Sequence, residues 1–334
     1  MKFSLTLFKK ISIMKNFTTT LVLVVTWVMT ITSQTCDNLL EAMRNNDLVK
    51  VEIFLKTTNP NCIYDGDIQP RSPLGMASLH GNLAIGKALF KAGANVSFRH
   101  HNDASALMIA AQKRHYNFSK FLIDEGANIN EETIRDGTPL MSAIKGKNMD
   151  LVKLLLELGA NPNTEMKGDG NAVILAAVSG NIELLELVFC YLPDIDKKTI
   201  GDGTALIQAS KRGNIEMVKT LVSLGADVNK KSEGDGNPLI AASKNNHLEI
   251  VKFLVEFGAN VNAHVAGDET PLINAAWNGN LDIVKYLIYK GAEINKSARD
   301  SYSILSEKRS ALKMAKRGKH KDVITYLIYK GANQ

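Results

Sequence analysis

Residues 237–262 read NPLIAASKNNHLEIVKFLVEFGANVN, and the same pattern returns along the chain with a constant step. Its three-residue opening phrase starts every 33 residues, at Ser72, Ser105, Thr138, Asn171, Thr204, Asn237 and Thr270. An eighth copy starts at Ser310 after 40 residues, so seven residues are inserted near 301–309. A fixed period of this length predicts a linear array of similar structural units that contact only their neighbours.

Each unit is predicted to contain two helices. Proline at the first helical position, as at Pro238, is typical of a helix start, because its missing N–H has no partner there anyway. A second helix follows with apolar spacing such as Leu151, Val152 and Leu155. The closing glycine predicts a left-handed residue just past that helix. A column of asparagine and histidine is predicted to supply the N-caps of the second helices: Asn82, His115, Asn148, Asn181, Asn214, His247, Asn280 and His320.

The recurring T-P-L, A-A, G-N or G-H, L-L and G-A-N-V-N motifs resemble the ankyrin repeat. The resemblance covers 65–334 as eight repeats, and residues 36–64 look like an N-terminal capping unit. It implies an all-α ankyrin-repeat solenoid, built of stacked helix-turn-helix units with projecting β-hairpin-like turns.

The sequence departs from the family pattern in two respects. The histidine that usually follows T-P-L is replaced, mostly by apolar residues such as Ile207 and Ile240 and in the last unit by Lys313. We therefore expect apolar packing in place of that histidine's hydrogen bonds. The fourth repeat ends in Leu192-Pro193-Asp194 where the others have Gly-Ala-Asn, which predicts a local kink or looser packing.

The N-terminus has the composition of a secretory signal peptide, residues 1–35. Four lysines and no acidic residue lie there, so the net charge of +6 falls to +2 without it. The apolar run Leu21–Ile31 has eleven residues, whereas a membrane span needs about 20. Cleavage near Gln34 or Thr35 would leave no span and predicts export to the periplasm or cell envelope. An uncleaved membrane anchor, and a start at Met14, are alternatives.

The three cysteines give a second indication about the compartment. Cys36 precedes the first helix of the capping unit and Cys62 follows the second, and these ends meet in an antiparallel helix pair. A Cys36–Cys62 disulfide is therefore expected in an exported chain, with two reduced thiols as the alternative. Cys190 lies in a polar column and is interpreted as an exposed spare thiol.

No motif of a catalytic, metal or cofactor site occurs, so the chain is interpreted as a non-enzyme without cofactor. His100-His101 fits a solvated loop better than a metal site. A ladder of aspartates, one in each inter-repeat turn, is interpreted as turn-forming: Asp103, Asp136, Asp169, Asp202, Asp235 and Asp268. Successive rungs about 10 Å apart cannot share one Ca²⁺ ion.

One column varies where the others repeat, which means that packing does not dictate its residues. By resemblance to ankyrin arrays it lies on the concave recognition surface, at the end of each first helix. Together with the neighbouring column it supplies the candidate partner-binding residues Lys113, Lys145, Lys211, Arg212, Lys244, Trp277 and Arg317. Tryptophan and arginine are enriched at binding hot spots. A solvated face with a half-buried tryptophan is the alternative.

The resemblance implies a monomeric, non-catalytic scaffold that binds a protein partner through its concave face and turn tips. Nucleic acid is disfavoured as a partner, because basic residues are too sparse for strong phosphate binding. Two other functions remain open. One is a regulatory or inhibitory subunit of an envelope enzyme such as a peptidase, and the other is a secreted effector that binds host proteins.

Overall fold

The computed structural model describes residues 36–64, 72–100, 103–133, 136–166, 168–191, 194–265, 269–298 and 308–333. The predicted leader 1–35, the Leu192-Pro193 pair and most of the inserted segment 301–309 lie outside the described residues. The chain divides into two compact units, Met1–Pro139 and Leu140–Gln334, called here the N-terminal and the C-terminal unit. Each is a stack of helix pairs.

The N-terminal unit contains three helix pairs among its described residues. They are α1 (36–44) and α2 (Leu48–Phe54), α3 (Pro73–His80) and α4 (Leu83–Lys91), and α5 (Ala106–Gln112) and α6 (Tyr116–Asp124). First helices pack on first helices, as α3 does on α5, and second helices pack in series from α2 through α4 to α6. Leu39, Leu40 and Val51 of the first pair are fully buried, so this pair shares one core with the repeats that follow.

The C-terminal unit continues the same arrangement. Its helices are α7 (Pro139–Lys145, which starts at the unit boundary), α8 (Met149–Glu157), α9 (Ala172–Ser179), α10 (Ile182–Tyr191), α11 (Ala205–Arg212), α12 (Ile215–Ser223), α13 (Pro238–Lys244), α14 (Leu248–Glu256), α15 (Pro271–Trp277), α16 (Leu281–Tyr289), α17 (Ala311–Gly318) and α18 (Lys321–Tyr329). Two short antiparallel strands, β1 (Ser297–Ala298) and β2 (Arg309–Ser310), lie before α17.

Stacking depends on small and apolar residues of the first helices. Ala209, Ala242 and Ala275 are fully buried between successive helices, where a side chain without bulk allows close approach. Ile207 and Ile240, which occupy the position of the missing histidine, are 1–2% exposed. The expected apolar packing at this position is therefore confirmed.

Every first helix with a described cap begins at a serine, threonine or asparagine whose side chain accepts a backbone hydrogen bond. The Asn237 Oδ1 atom accepts from the Ile240 N–H at 2.8 Å, and the Thr204 Oγ1 atom accepts from the Ile207 N–H at 3.3 Å. Such caps satisfy N–H groups that have no partner within the helix.

The predicted capping role of the asparagine and histidine column is correct at only half of its positions. Asn82, Asn148, Asn181 and Asn214 accept from the second helix as predicted. His115, His247, His320 and Asn280 make no such bond. Their side chains turn to the preceding repeat, where carbonyl groups at the end of the first helix need donors.

The histidines link neighbouring repeats through this bond. His247 Nε2 donates to the Lys211 carbonyl at 3.2 Å, and His320 Nε2 donates to the Trp277 carbonyl at 2.9 Å. A carbonyl oxygen can only accept, so Nε2 carries the proton. Each ring lies against a glycine with positive φ: a Cβ on Gly213 (φ +79°) would meet His247 at 2.4 Å. The histidine therefore requires a glycine one repeat earlier.

A second link between repeats is an asparagine clamp after the second helix. Asn229 Nδ2 donates to the Gly258 carbonyl at 3.0 Å, and Asn229 Oδ1 accepts from the Asn260 N–H at 2.8 Å. Asn262 and Asn295 bind the following repeat in the same way. Asp196 stands at this position in the fourth repeat and accepts from the Asp227 N–H, but an ionised carboxylate cannot donate to a carbonyl.

A disulfide closes the first helix pair. Cys36 and Cys62 are bonded, with their Cα atoms 5.9 Å apart, at the ends of the pair where the sequence placed them. The bond encloses the two helices of the first pair among the described residues. Cys190 is a free, exposed cysteine.

We expect the Gly213→Ala variant to lose more stability than a matched glycine variant. Gly234→Ala has a similar φ of +83° with nothing near the new Cβ, so it measures the backbone strain alone, about 1–2 kcal/mol. Gly213→Ala should cost about 1 kcal/mol more, because the His247 bond is also lost. Urea unfolding gives these free energies. When His247 is also replaced by alanine, Gly213→Ala and Gly234→Ala should lower the free energy of unfolding by the same amount. If the difference between the two glycine variants persisted without the histidine, the proposed coupling between Gly213 and His247 would be refuted.

We expect Asp196→Asn to raise the free energy of unfolding by about 1 kcal/mol at pH 7, because the amide can donate to the Gly225 carbonyl. Burial raises the pKa of Asp196 above its usual value, and the Asp227 N–H partly offsets this. The folded protein therefore keeps the proton on Asp196 up to a higher pH than the unfolded chain does. The free energy of unfolding of the wild type accordingly falls as the pH rises from the ordinary pKa of an aspartate through the raised pKa of Asp196. The stability gain of the Asp196→Asn variant over the wild type should therefore be smaller near pH 4 than at pH 7. Asp194→Asn removes the same charge nearby, and an equal gain from it would contradict the clamp.

Candidate protein-binding face

The ends of the first helices form one aligned surface in the C-terminal unit. Helices α11, α13, α15 and α17 pack in series, and each carries a residue of the variable column close to its end. We call this surface the helix-end face and define it by Lys145, Lys211, Arg212, Lys244, Trp277 and Arg317. All are exposed except Lys145, which is half-buried.

Trp277 and Arg317 contact each other on this face. The guanidinium carbon of Arg317 lies 5.4 Å from the centre of the Trp277 ring, an arrangement in which the ring face attracts the cation. Trp277 remains 39% exposed. The Trp277 carbonyl accepts the His320 bond, so the backbone that carries the ring is fixed from the next repeat. The face therefore presents a positioned aromatic group with a cation beside it.

Two lysines of the face lie close to aspartates of the turns. Lys145 Nζ bonds Asp169 Oδ2 at 2.7 Å, and both side chains are about a quarter exposed. Burial raises the pKa of the Asp235 carboxyl above its usual value. The positive charge of the nearby Lys211 lowers the pKa of that carboxyl by a smaller amount. In both pairs the aspartate follows the lysine by 24 residues. The face is accordingly of mixed charge, less basic than the sequence alone suggested.

The turns themselves are short backbone hairpins, with an aspartate at each described tip. Antiparallel bridges join Thr199 to Gly203 and Ser232 to Gly236, which encloses Asp202 and Asp235. Asp202 also accepts from the Gly168 N–H at 3.0 Å, so it links two turns. The predicted turn position of the aspartates is confirmed here; Asp268 lies outside the described residues.

Sequence reasoning missed one exposed residue of the turns. Ile200 is 88% exposed in the hairpin that the Thr199–Gly203 bridge closes. No sequence signal singled it out, because the same column holds His101 and Glu233 but also Ile134 and Ala266. Lys113, the remaining candidate, is an exposed residue of the N-terminal unit at the end of α5.

The described residues contain no group of three or more histidine, cysteine or acidic side chains that could hold a metal ion. Within the same residues, no helix combines the length and apolar character needed to cross a bilayer. His115, His247 and His320 are engaged in the bonds between repeats.

A model of the ankyrin repeat family, which describes three copies of the repeat, matches residues 39–133, 131–199, 206–300 and 269–334. No curated protein matches this sequence. Ankyrin repeats generally mediate protein–protein interaction, and the family is typically non-catalytic. Because the matches cover nearly all of 39–334 and the described residues form stacked helix pairs with short turns, the chain is an all-α ankyrin-repeat solenoid and belongs to the ankyrin repeat family.

Proposed function

We propose that this protein is a non-catalytic scaffold that binds a protein partner through the helix-end face and the adjoining turn tips. The observation that carries the proposal is the exposed Trp277 ring with Arg317 against it. Aromatic and arginine side chains of this kind supply most of the energy in many protein interfaces. Because the backbone under Trp277 is held by His320, binding would cost little ordering entropy.

The charges of the face favour a protein surface as the ligand. The Lys145–Asp169 pair places a cation and an anion side by side. A protein surface, which carries both kinds of charge, can pair with both groups, whereas a polyanion could pair with the lysine only. Ile200 adds an apolar contact at a turn tip. A partner that spans the helix ends and the turns would contact all of these groups together.

Export belongs to the same proposal. The leader 1–35 has the composition of a signal peptide, and the Cys36–Cys62 disulfide suits an oxidising compartment. We place the mature chain in the periplasm or cell envelope.

Partner capture tests the binding face. We expect wild-type protein to capture a partner from envelope extracts, and Trp277→Ala with Arg317→Ala to weaken that interaction by about tenfold or more. The matched control is Tyr329→Ala with Lys330→Ala, because Lys330 lies 5.3 Å from the Tyr329 ring on a second helix away from the face. Quantitative mass spectrometry followed by calorimetry measures both. Equal losses in the two double variants would reject the helix-end face.

A thiol count tests export together with the disulfide. Protein isolated from the envelope and denatured without reductant should expose one reactive thiol, that of Cys190, and three after reduction. Reduction should lower the stability of the N-terminal unit by about 3–4 kcal/mol, as expected for closure of a loop of this length. Three thiols before reduction would contradict both the bond and the proposed compartment.

A further inference from the structure

Positive charge is concentrated at the C-terminal end of the chain. Residues 281–334 contain 12 lysines and arginines against five acidic residues, a net charge of +7. Residues 36–280 contain 24 basic and 29 acidic residues, a net charge of −5. The charge of +2 for residues 36–334 therefore conceals a strongly basic segment, residues 281–334, which needs an explanation.

A cleft of about 560 Å³ lies within this basic region. Strands β1 and β2 contribute Ser297 and Ser310, with Lys308 directly before β2, and α17 contributes Leu312, Lys313 and Lys316. The volume falls within the range of about 300–1,000 Å³ typical of ligand sites. None of the described lining residues is acidic.

Two of the lysines stand where the other repeats have buried residues. Lys313 corresponds to Ile273, which is 1% exposed, and Lys316 corresponds to Ala276, which is fully buried. A polar end to a repeat stack needs only hydrophilic residues. The exposed Lys308 and Lys316 go further, because their ammonium groups at one concavity focus a positive potential into the cleft.

The walls of the cleft are fixed by bonds to the rest of the repeat. Asn295 Nδ2 donates to the Gly331 carbonyl at 3.3 Å, and Asn295 Oδ1 accepts from the Asn333 N–H at 2.9 Å. Arg309 forms an ion pair with Glu269, which ties β2 to the preceding repeat. Asn295 and β2, which line the cleft, are therefore each bonded to another part of the chain.

We propose that this cleft binds an acidic peptide segment, in which carboxylates of successive aspartate or glutamate residues pair with Lys308 and Lys316. The proposal rests on the protein-binding function above and adds the chemistry of one part of the partner. Charge-assisted bonds from ammonium to carboxylate supply the attraction. The Ser297 and Ser310 hydroxyls and the Asn295 and Asn333 side-chain amides add donors for the peptide.

The test measures binding of a fluorescent glutamate hexapeptide by anisotropy, with a glutamine hexapeptide as the uncharged probe. We expect the glutamate peptide alone to bind, and more weakly as salt increases. Lys308→Gln with Lys316→Gln should weaken binding by about tenfold. Lys87→Gln with Lys91→Gln removes two exposed lysines of α4, and hence the same net charge, and should leave the affinity unchanged within about twofold.

Each of four other outcomes would overturn the proposal. Absence of binding, or equal losses in the two double variants, would show that the cleft is only a polar end of the stack. Displacement of the peptide by an equal concentration of inorganic phosphate would identify a general anion site. Partner capture by the Lys308→Gln, Lys316→Gln protein separates the two proposals: a captured partner with unchanged affinity rejects the acidic segment and leaves the helix-end face intact.

Discussion

The structure depends on one contact, the close packing of each first helix against the next. Ala209, Ala242 and Ala275 allow this approach, and the neighbouring Ile207, Ile240 and Ile273 fill the space between the helices. An exposed helix pair of this kind could not bury its apolar face alone, so the energy of each repeat comes largely from its neighbours. Every other feature is placed by that stacking, including the bonds between repeats and the line of residues on the helix-end face.

Two sets of polar bonds then fix the spacing that the apolar contact leaves adjustable. Hydrophobic burial has little directionality, whereas a hydrogen bond such as His247 to the Lys211 carbonyl restricts both the separation and the angle to a narrow range. The Asn229 clamp acts in the same way at the other end of the second helix. With a bond at each end, neighbouring repeats are held in register, and Trp277 keeps its position relative to Arg317.

Most of the fold could be predicted from the sequence, because its signals are local and recur in every unit. The prolines, the capping side chains of the first helices and the closing glycines each act within one turn of backbone. The predictions failed where a side chain had two partners in reach. His247 could have capped its own helix, and only the position of the preceding repeat decides otherwise. The Lys145–Asp169 ion pair could not be predicted for the same reason. The variable column with Lys145 and the turn column with Asp169 were both evident in the sequence, but the distance between them depends on how one repeat packs on the next.

The dependence of a histidine on a glycine one repeat earlier limits how such an array can be rearranged. His115, His247 and His320 all face a glycine in the preceding repeat, whereas Asn82, Asn181 and Asn280 follow Asn46, Lys147 and Asn246, which adopt the same left-handed backbone with a side chain. Asparagine thus occurs after either predecessor, as Asn214 after Gly180 illustrates, whereas a histidine ring in its bonded position needs a glycine one repeat earlier. The repeats are therefore not interchangeable modules. A duplication or deletion that placed a histidine repeat behind Lys147 or Asn246 would displace the histidine ring and remove the bond between those two repeats.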